Sequence, residues 1–425
     1  MHDDDMRSLR RAYAEAREEA DPFEKFNRAQ GMGAIRDPYA GIAAMRAIAP
    51  VHRIELAGLS GTIPATMLAG NEIYTVLTFD GVAEVLRDGA RFSSAGYSRS
   101  MGIVMGHTIL EMDGAEHIRH RALISRAFTR RALERWEREL VRPIIDAYVD
   151  AFAERGSADL VRELTFPFPV RVIAGMMGLP EEDHTRFHRL AIELISVGID
   201  WEGGTRAARE LRELFAPVIA ARRREPCEDL ISVLAQGEIE GTRLSDEEIC
   251  AFLCLLAPAG AETTYRSSSN LLFGLLTNPD QLDAVRADRA LIAQAIEEGL
   301  RWECPLLGIM RTATEDTQIG GVAIPKDAAV SVNLGAANRD PGRWLDPDRF
   351  DVFREPKPHI AFAFGPHVCL GMHLARMETR VLLDALFERL PGLRLDPEAS
   401  DVHISGLIFR SPQSLPVRFD AATAG

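Results

Sequence analysis

Cys369 stands in the run Phe362-Ala363-Phe364-Gly365-Pro366-His367-Val368-Cys369-Leu370-Gly371, just before a long amphipathic stretch. Gly365 and Pro366 make a turn ahead of the cysteine, and Gly371 has no side chain to block a flat ligand. A helix opening near residue 371 would aim its N-terminal N–H groups at the sulfur and favour the thiolate. Thiolate is the form in which cysteine ligates a soft metal such as iron. A second pair lies in Ala259-Gly260-Ala261-Glu262-Thr263-Thr264, inside a strongly apolar segment. Burying unpaired polar groups is costly, so Glu262 beside Thr263 needs a partner or a task. The bland alternative has Thr263 bonding back to a helical carbonyl and Glu262 reaching solvent. Glu298 and Arg301, three apart, share a helix face, a spacing that a surface ion pair explains more often than not. His117 and Arg121, four apart, share another. His117 with His120 lacks a third ligand for a metal.

These residues need elements to carry them. Ser245-Asp246-Glu247-Glu248 is a capping box. The helix it opens must carry Glu262 and Thr263, and Asn278-Pro279 stops it. That is about 32 residues, or roughly 48 Å at ~1.5 Å per residue. It is apolar on nearly all sides over 249–261, the mark of a helix crossing a large core. Pro258 cannot bond to the carbonyl of Cys254 and should loosen the helix one turn before Glu262. Helices are expected over 279–287, 290–302 and 371–390, and mostly helix over 114–278. Strands are expected over 51–56, 62–69, 73–78, 318–324 and 328–334, with a hairpin over 403–419. The whole reads as mainly α with a small β region: one large helical domain over 37–420, preceded by a polar extension over 1–36.

The chain has 425 residues, 46% apolar and 26% charged, with a formal net charge of -14. That acidity argues against nucleic acid as the main partner. No run of 18 apolar residues is present. The charged opening residues lack the apolar stretch of a signal peptide, so a cytoplasmic protein is expected. Five cysteines, an odd number, argue against a disulfide framework. Cys250 and Cys254 read as small buried residues. Gly31-Met32-Gly33 lacks the third glycine of a dinucleotide site.

The segment around Cys369 fits every fixed position of F-x-x-G-x-H-x-C-x-G and resembles the cytochrome P450 family of haem-thiolate monooxygenases. Ala363 stands where many bacterial members have glycine. The resemblance extends over about 37–419 and implies a cytochrome P450-like helical domain enclosing haem. It implies heme b (iron protoporphyrin IX) with Cys369 as the proximal iron ligand. His117, Arg121, Arg311 and His367 would face the propionates. The segment holding Glu262 and Thr263 resembles the family's oxygen-binding motif. By that likeness the Thr263 hydroxyl stabilises dioxygen at the iron and Glu262 helps relay protons. Pro347-Asp348-Arg349-Phe350 resembles P-x-R-F, which implies a buried structural network of Glu298, Arg301 and Arg349. Asn338-Arg339-Asp340-Pro341 is a further family-like turn.

The family's substrate-lining segments fall on about 92–110, 187–204, the start of the oxygen motif, 306–310 and 404–409, and include Leu255, Ala259, Leu306, Leu307, Ile309, Leu407, Ile408 and Phe409. These named residues are all apolar, so a hydrophobic small-molecule substrate is expected; Tyr97, Arg99 and His107 are candidates to anchor a polar end. No flavin, nicotinamide or iron–sulfur segment is present, so electrons are expected from a separate ferredoxin-type donor with its reductase. The span 117–138 holds seven arginines against two glutamates. It is either a docking patch for an acidic carrier or a solvated helix face. Two other readings stand beside the monooxygenase: a peroxide-driven haem enzyme or haem-thiolate isomerase, and a haem-based sensor or ligand carrier. Glu262 beside Thr263 favours dioxygen and ordered proton delivery.

Overall fold

The computed structural model describes residues 22–55, 72–198, 200–239 and 241–421. Its axis is the helix Asp246–Leu276. Ser245 Oγ accepts from the Glu248 N–H, and the Glu248 carboxylate accepts from the Ser245 N–H, so the capping box is complete. Ile249, Phe252, Leu253, Ala257 and Leu271 are buried on its several sides, as an all-round apolar helix requires. The helix continues through Pro258. The helix Pro167–Met176 packs against it so closely that a Cβ on Gly260 would stand 2.6 Å from Ile173 Cδ1. The expected thiols Cys250 and Cys254 lie buried on this helix.

Helices Pro279–Ala287, Leu291–Trp302 and Met372–Arg389 lie where the apolar periodicity places them. The principal sheet has five strands. In spatial order they are Val51–Glu55, Glu72–Val76, Ala329–Asn333, Gly308–Ala313 and Phe92–Ser93. The second and third pair in parallel and the other pairs are antiparallel. This register sets Arg311 opposite Val330 and Phe92 opposite Ala313, which delivers Arg311 and Ser94 to one end of the sheet. The molecule is thus mainly α with small β regions.

Four expectations change. The strand Gly308–Ala313 has no clear alternation in its sequence and was not expected. The run 318–324 is a tight hairpin, Thr317–Ile319 with Val322–Ile324, because Gly320 and Gly321 both take positive φ. The expected hairpin over 403–419 holds only for Ile404–Ser405 with Ser411–Pro412. Pro416–Arg418 leaves it to pair with Arg394–Leu395 and Ser157–Asp159. Of the extension expected over 1–36, residues 22–36 pack into the domain, with Phe26, Asn27, Met32 and Ile35 all buried. Residues 1–21, and the strand expected over 62–69, lie outside the described residues.

Candidate active site

The loop before Cys369 is built by backbone constraints. Cys369 N–H donates to the Phe362 carbonyl at 2.9 Å, closing the loop on itself. Gly365 has φ +73°, and a Cβ there would meet the Leu86 carbonyl oxygen at 2.3 Å. No other residue fits where the loop crosses the end of the helix Phe79–Arg87. Ala363 also sits at positive φ, +60°, a conformation that strains alanine and suits glycine. Gly371 caps the helix Met372–Arg389, and a Cβ there would meet nothing within 4 Å. Cys369 is exposed on one side and enclosed on the others. Burial pushes its thiol above the ordinary value, while the Gly371 N–H and the Arg121 and Arg376 guanidiniums pull the other way. A soft cation at the sulfur would add to that pull and displace the proton.

Around this loop stand polar groups whose capacity the protein leaves unused. Arg311 is buried, and its hydrogen bond goes to the adjacent Met310 carbonyl, 2.7 Å away. It has no ion pair among the described residues. His117 is buried too, and its Nε2 has no partner. Its ring stacks on His367 with centroids 4.0 Å apart. Burial, His367 and Arg121 together hold His117 down to about 4, so it is neutral at ordinary pH. Arg121 donates to the Val368 carbonyl at 2.5 Å. An orphaned buried nitrogen and a buried, unpaired guanidinium are costly unless an anionic ligand answers them. Haem brings two carboxylates, and these residues fit it. His367 stands 3.2 Å from Ser94 Oγ and 3.6 Å from Asp113 Oδ1. Asp113 therefore belongs to the site. It was missed because it closes a loop with no motif of its own.

Across the central helix, Ala259 is exposed and Thr263 half-buried, although Ala257, Pro258, Ala261 and Glu262 are buried. An exposed position in the middle of a core helix faces space that the packing of the protein leaves unfilled. Thr263 Oγ1 donates to the Ala259 carbonyl at 2.9 Å, as the bland alternative has it. Glu262 does not reach solvent. It is 3% exposed, and its Oε2 accepts from Arg266 Nη2 at 3.0 Å. Burial raises its carboxyl above the usual range, against the pull of Arg266.

The apolar candidates divide. Leu307 N–H donates to the Ile408 carbonyl at 2.7 Å, and Leu306 bridges to Phe409, so the two expected lining segments are joined by backbone. Leu255, Leu306, Ile309 and Leu407 are half-buried and Ile408 is exposed. Leu307 instead packs into the core against Gly335. The Phe409 ring packs against Phe26 at a tilt of 58°, centroids 5.6 Å apart. Of the polar-anchor candidates, Tyr97 Oη accepts from the Met310 N–H. His107 is held by Glu111 and Glu116, and Arg99 is exposed.

The structural network needs a correction. Glu298 and Arg301 form a buried two-point pair at 2.7 and 2.8 Å. The second arginine is Arg354, whose Nε donates to Glu298 Oε1 at 3.3 Å, and not Arg349. Phe350 is buried against Gly274 of the central helix, which turns its neighbour Arg349 outward. Arg349 supplies only its carbonyl to Arg301 and Arg354. A further buried cluster escaped the sequence reading. Glu303 accepts from Tyr39, Arg339 and Arg410, which come from three distant segments with no local spacing to link them.

A cytochrome P450 family model matches residues 197–398. Cytochrome P450 monooxygenase PikC of Streptomyces venezuelae is 35% identical over 401 residues, 92% of this chain and 93% of that protein. The chain belongs to the cytochrome P450 family. The structure of cytochrome P450 CYP109Q5 from Chondromyces apiculatus superposes with a TM-score of 0.82 at 34% identity, covering 92% of this chain and 97% of that one. CYP109E1 from Bacillus megaterium, solved in complex with testosterone, gives 0.80 at 30% identity over 90% and 99%. This chain is therefore a cytochrome P450 monooxygenase, and haem is the cofactor of its family. Among the described residues, no helix of this P450 is long and apolar enough to cross a membrane.

Proposed function

We propose that this P450 inserts one oxygen atom from O2 into a hydrophobic small organic substrate, with electrons from a separate ferredoxin-type partner and its reductase. The observation that carries the reading is exposed Ala259 one turn from half-buried Thr263 on an otherwise buried helix. Heme b would be held by Cys369, with His117, Arg121, Arg311 and His367 toward its carboxylates. When bound, the haem supplies the dioxygen and electron-transfer chemistry. The Thr263 hydroxyl keeps lone pairs free while it donates to Ala259, and by turning it can donate toward the space that Ala259 faces instead. Glu262 Oε1 has no hydrogen-bond partner among the described residues and is the atom to take and release a proton. Leu255, Ala259, Leu306, Ile309, Leu407 and Ile408 would exclude water and orient the substrate. The testosterone complex of CYP109E1 supports an apolar class.

In the arginine-rich span, Arg130, Arg135 and Arg138 pair with Glu134, Glu228 and Glu139. Arg119 and Arg131 are exposed without such partners among the described residues. They support a docking face for an acidic carrier, narrower than the composition alone suggests. A cytoplasmic site of action belongs to the same reading. The test supplies haem-loaded protein with a ferredoxin, its reductase, NADH and 18O2, and offers testosterone, hexadec-9-enoic acid and a monoterpene. One labelled oxygen in a product is expected. Turnover of that panel by peroxide alone, without labelling from 18O2, would overturn the reading.

A further inference from the structure

Arg266 follows Glu262 by one helical turn and is fully buried. Its Nη2 donates to Glu262 Oε2 at 3.0 Å and to Asn27 Oδ1 at 2.7 Å. Its Nε reaches the same Glu262 oxygen at 3.3 Å, and its Nη1 donates to Ser411 Oγ at 3.1 Å. The rings of Tyr265, Phe409 and Phe26 stand 4.6, 5.4 and 6.0 Å from its guanidinium carbon. Its Nη1 also faces Met32 Sδ at 3.8 Å, so the cation is held by one acid, three neutral acceptors and three aromatic faces. The two oxygen acceptors, Asn27 and Ser411, come from opposite ends of the chain: the helix Pro22–Ala29 and the strand Ser411–Pro412.

Two features exceed what packing requires. Apolar residues of similar volume often replace a buried ion pair at no loss of stability, so stability alone is weak reason to bury this one. The grip is also one-sided. Arg266 takes Oε2 alone and leaves Oε1 without a partner, directly before Thr263 in the chain. A carboxylate fixed by one oxygen and open at the other is oriented for proton exchange at the open atom.

We propose that Arg266, held in place by Asn27 and Ser411, is the positioning residue that orients Glu262 for proton handling. The N-terminal helix is then a working part of this site, through Asn27. The proposal rests on the reading of Glu262 given above. Removing Asn27 frees an Arg266 donor and loosens the guanidinium. Removing the Arg266 charge leaves the Glu262 carboxylate buried without its counter-ion, which favours the protonated acid.

The test uses haem-loaded protein labelled with 13C-carboxyl glutamate, and infrared spectroscopy of the carboxyl region across pH. The Glu262 band is the one lost in Glu262→Gln. Arg266→Gln is expected to move that band from ionised to protonated at neutral pH. Asn27→Ala is expected to raise its titration midpoint by about one pH unit, a tenfold change in proton affinity. Ser411→Ala is expected to move it the same way. The reduced carbon monoxide band certifies that each variant is folded and loaded. If Arg266→Gln does not fold, Asn27→Ala carries the test, since it removes one neutral acceptor. An unmoved band in Asn27→Ala overturns the positioning role. The role of Glu262 itself is read separately, as peroxide released per NADH consumed with a ferredoxin and its reductase. Increased release in Glu262→Gln is expected. Unchanged release removes Glu262 from proton handling and takes the proposal with it.

Discussion

The strain in the cysteine loop can be measured by exchanging its two small residues. Ala363 holds φ +60°, where an alanine side chain costs about 1–2 kcal/mol. Ala363→Gly removes that strain and returns about 0.4–1 kcal/mol through the greater freedom of glycine in the unfolded chain. The net expectation is a stabilisation of about 0.5–1 kcal/mol. Gly365→Ala works in reverse. Its φ of +73° carries a similar backbone strain, and the new Cβ would stand 2.3 Å from the Leu86 carbonyl and 3.0 Å from the Arg87 Cα. Both are backbone atoms at a helix end and cannot swing aside, so overpacking adds about 1–3 kcal/mol. The total is a destabilisation of about 2–4 kcal/mol, centred on the loop that holds Cys369. Urea unfolding of the haem-loaded proteins, followed by tryptophan fluorescence and by the reduced carbon monoxide band, reads both effects. A less stable Ala363→Gly, or a Gly365→Ala within about 0.5 kcal/mol of the parent, would refute the loop geometry.

Other outcomes follow from single contacts. Arg354→Ala should destabilise by about 1.5–3 kcal/mol through its bond to buried Glu298, while Arg349→Ala stays within about 0.5 kcal/mol; equal melting of the two variants would return Arg349 to the network. Glu378 is wholly buried, accepts from Thr264, and burial pushes it up to about 8. Between an ordinary carboxyl pKa near 4.5 and that value, the folded state holds a proton the unfolded state has released. Stability should therefore fall as pH rises through this window, and Glu378→Gln should flatten the slope. A melting curve against pH that is unaltered by the substitution counts against it. Arg311→Ala and His117→Asn should each weaken haem retention about 10- to 100-fold, as the loss of a charge-assisted or buried hydrogen bond implies. The rate of haem transfer to a scavenger protein reads this, and parental rates in both variants would remove these residues from the cofactor site.

Much of this was legible because the signals are local. The central helix announces itself by Ser245 and Glu248 at one end and Asn278-Pro279 at the other. Cys369 is legible because a turn, a cap and a helix follow one another within ten residues. What escaped is long-range. Arg266 looks like one more helix charge until Asn27 and Ser411 arrive from the two ends of the chain. Arg354 displaces Arg349 because Phe350 wins the core position and fixes which way its neighbour points. The strand Gly308–Ala313 is set by its two partners, not by its own pattern. Phe26 and Asn27 lie in a polar-looking segment whose few large residues all face inward.

The proposed site depends above all on a Cys369 thiolate that ligates the haem iron. The most direct test of that ligation is the absorption spectrum of the dithionite-reduced protein with and without carbon monoxide, beside Cys369→Ser. A strongly red-shifted Soret band in the parent, lost in the variant, is the predicted result. A band typical of histidine-bound haem in the parent, or a red-shifted band that survives in Cys369→Ser, would contradict it.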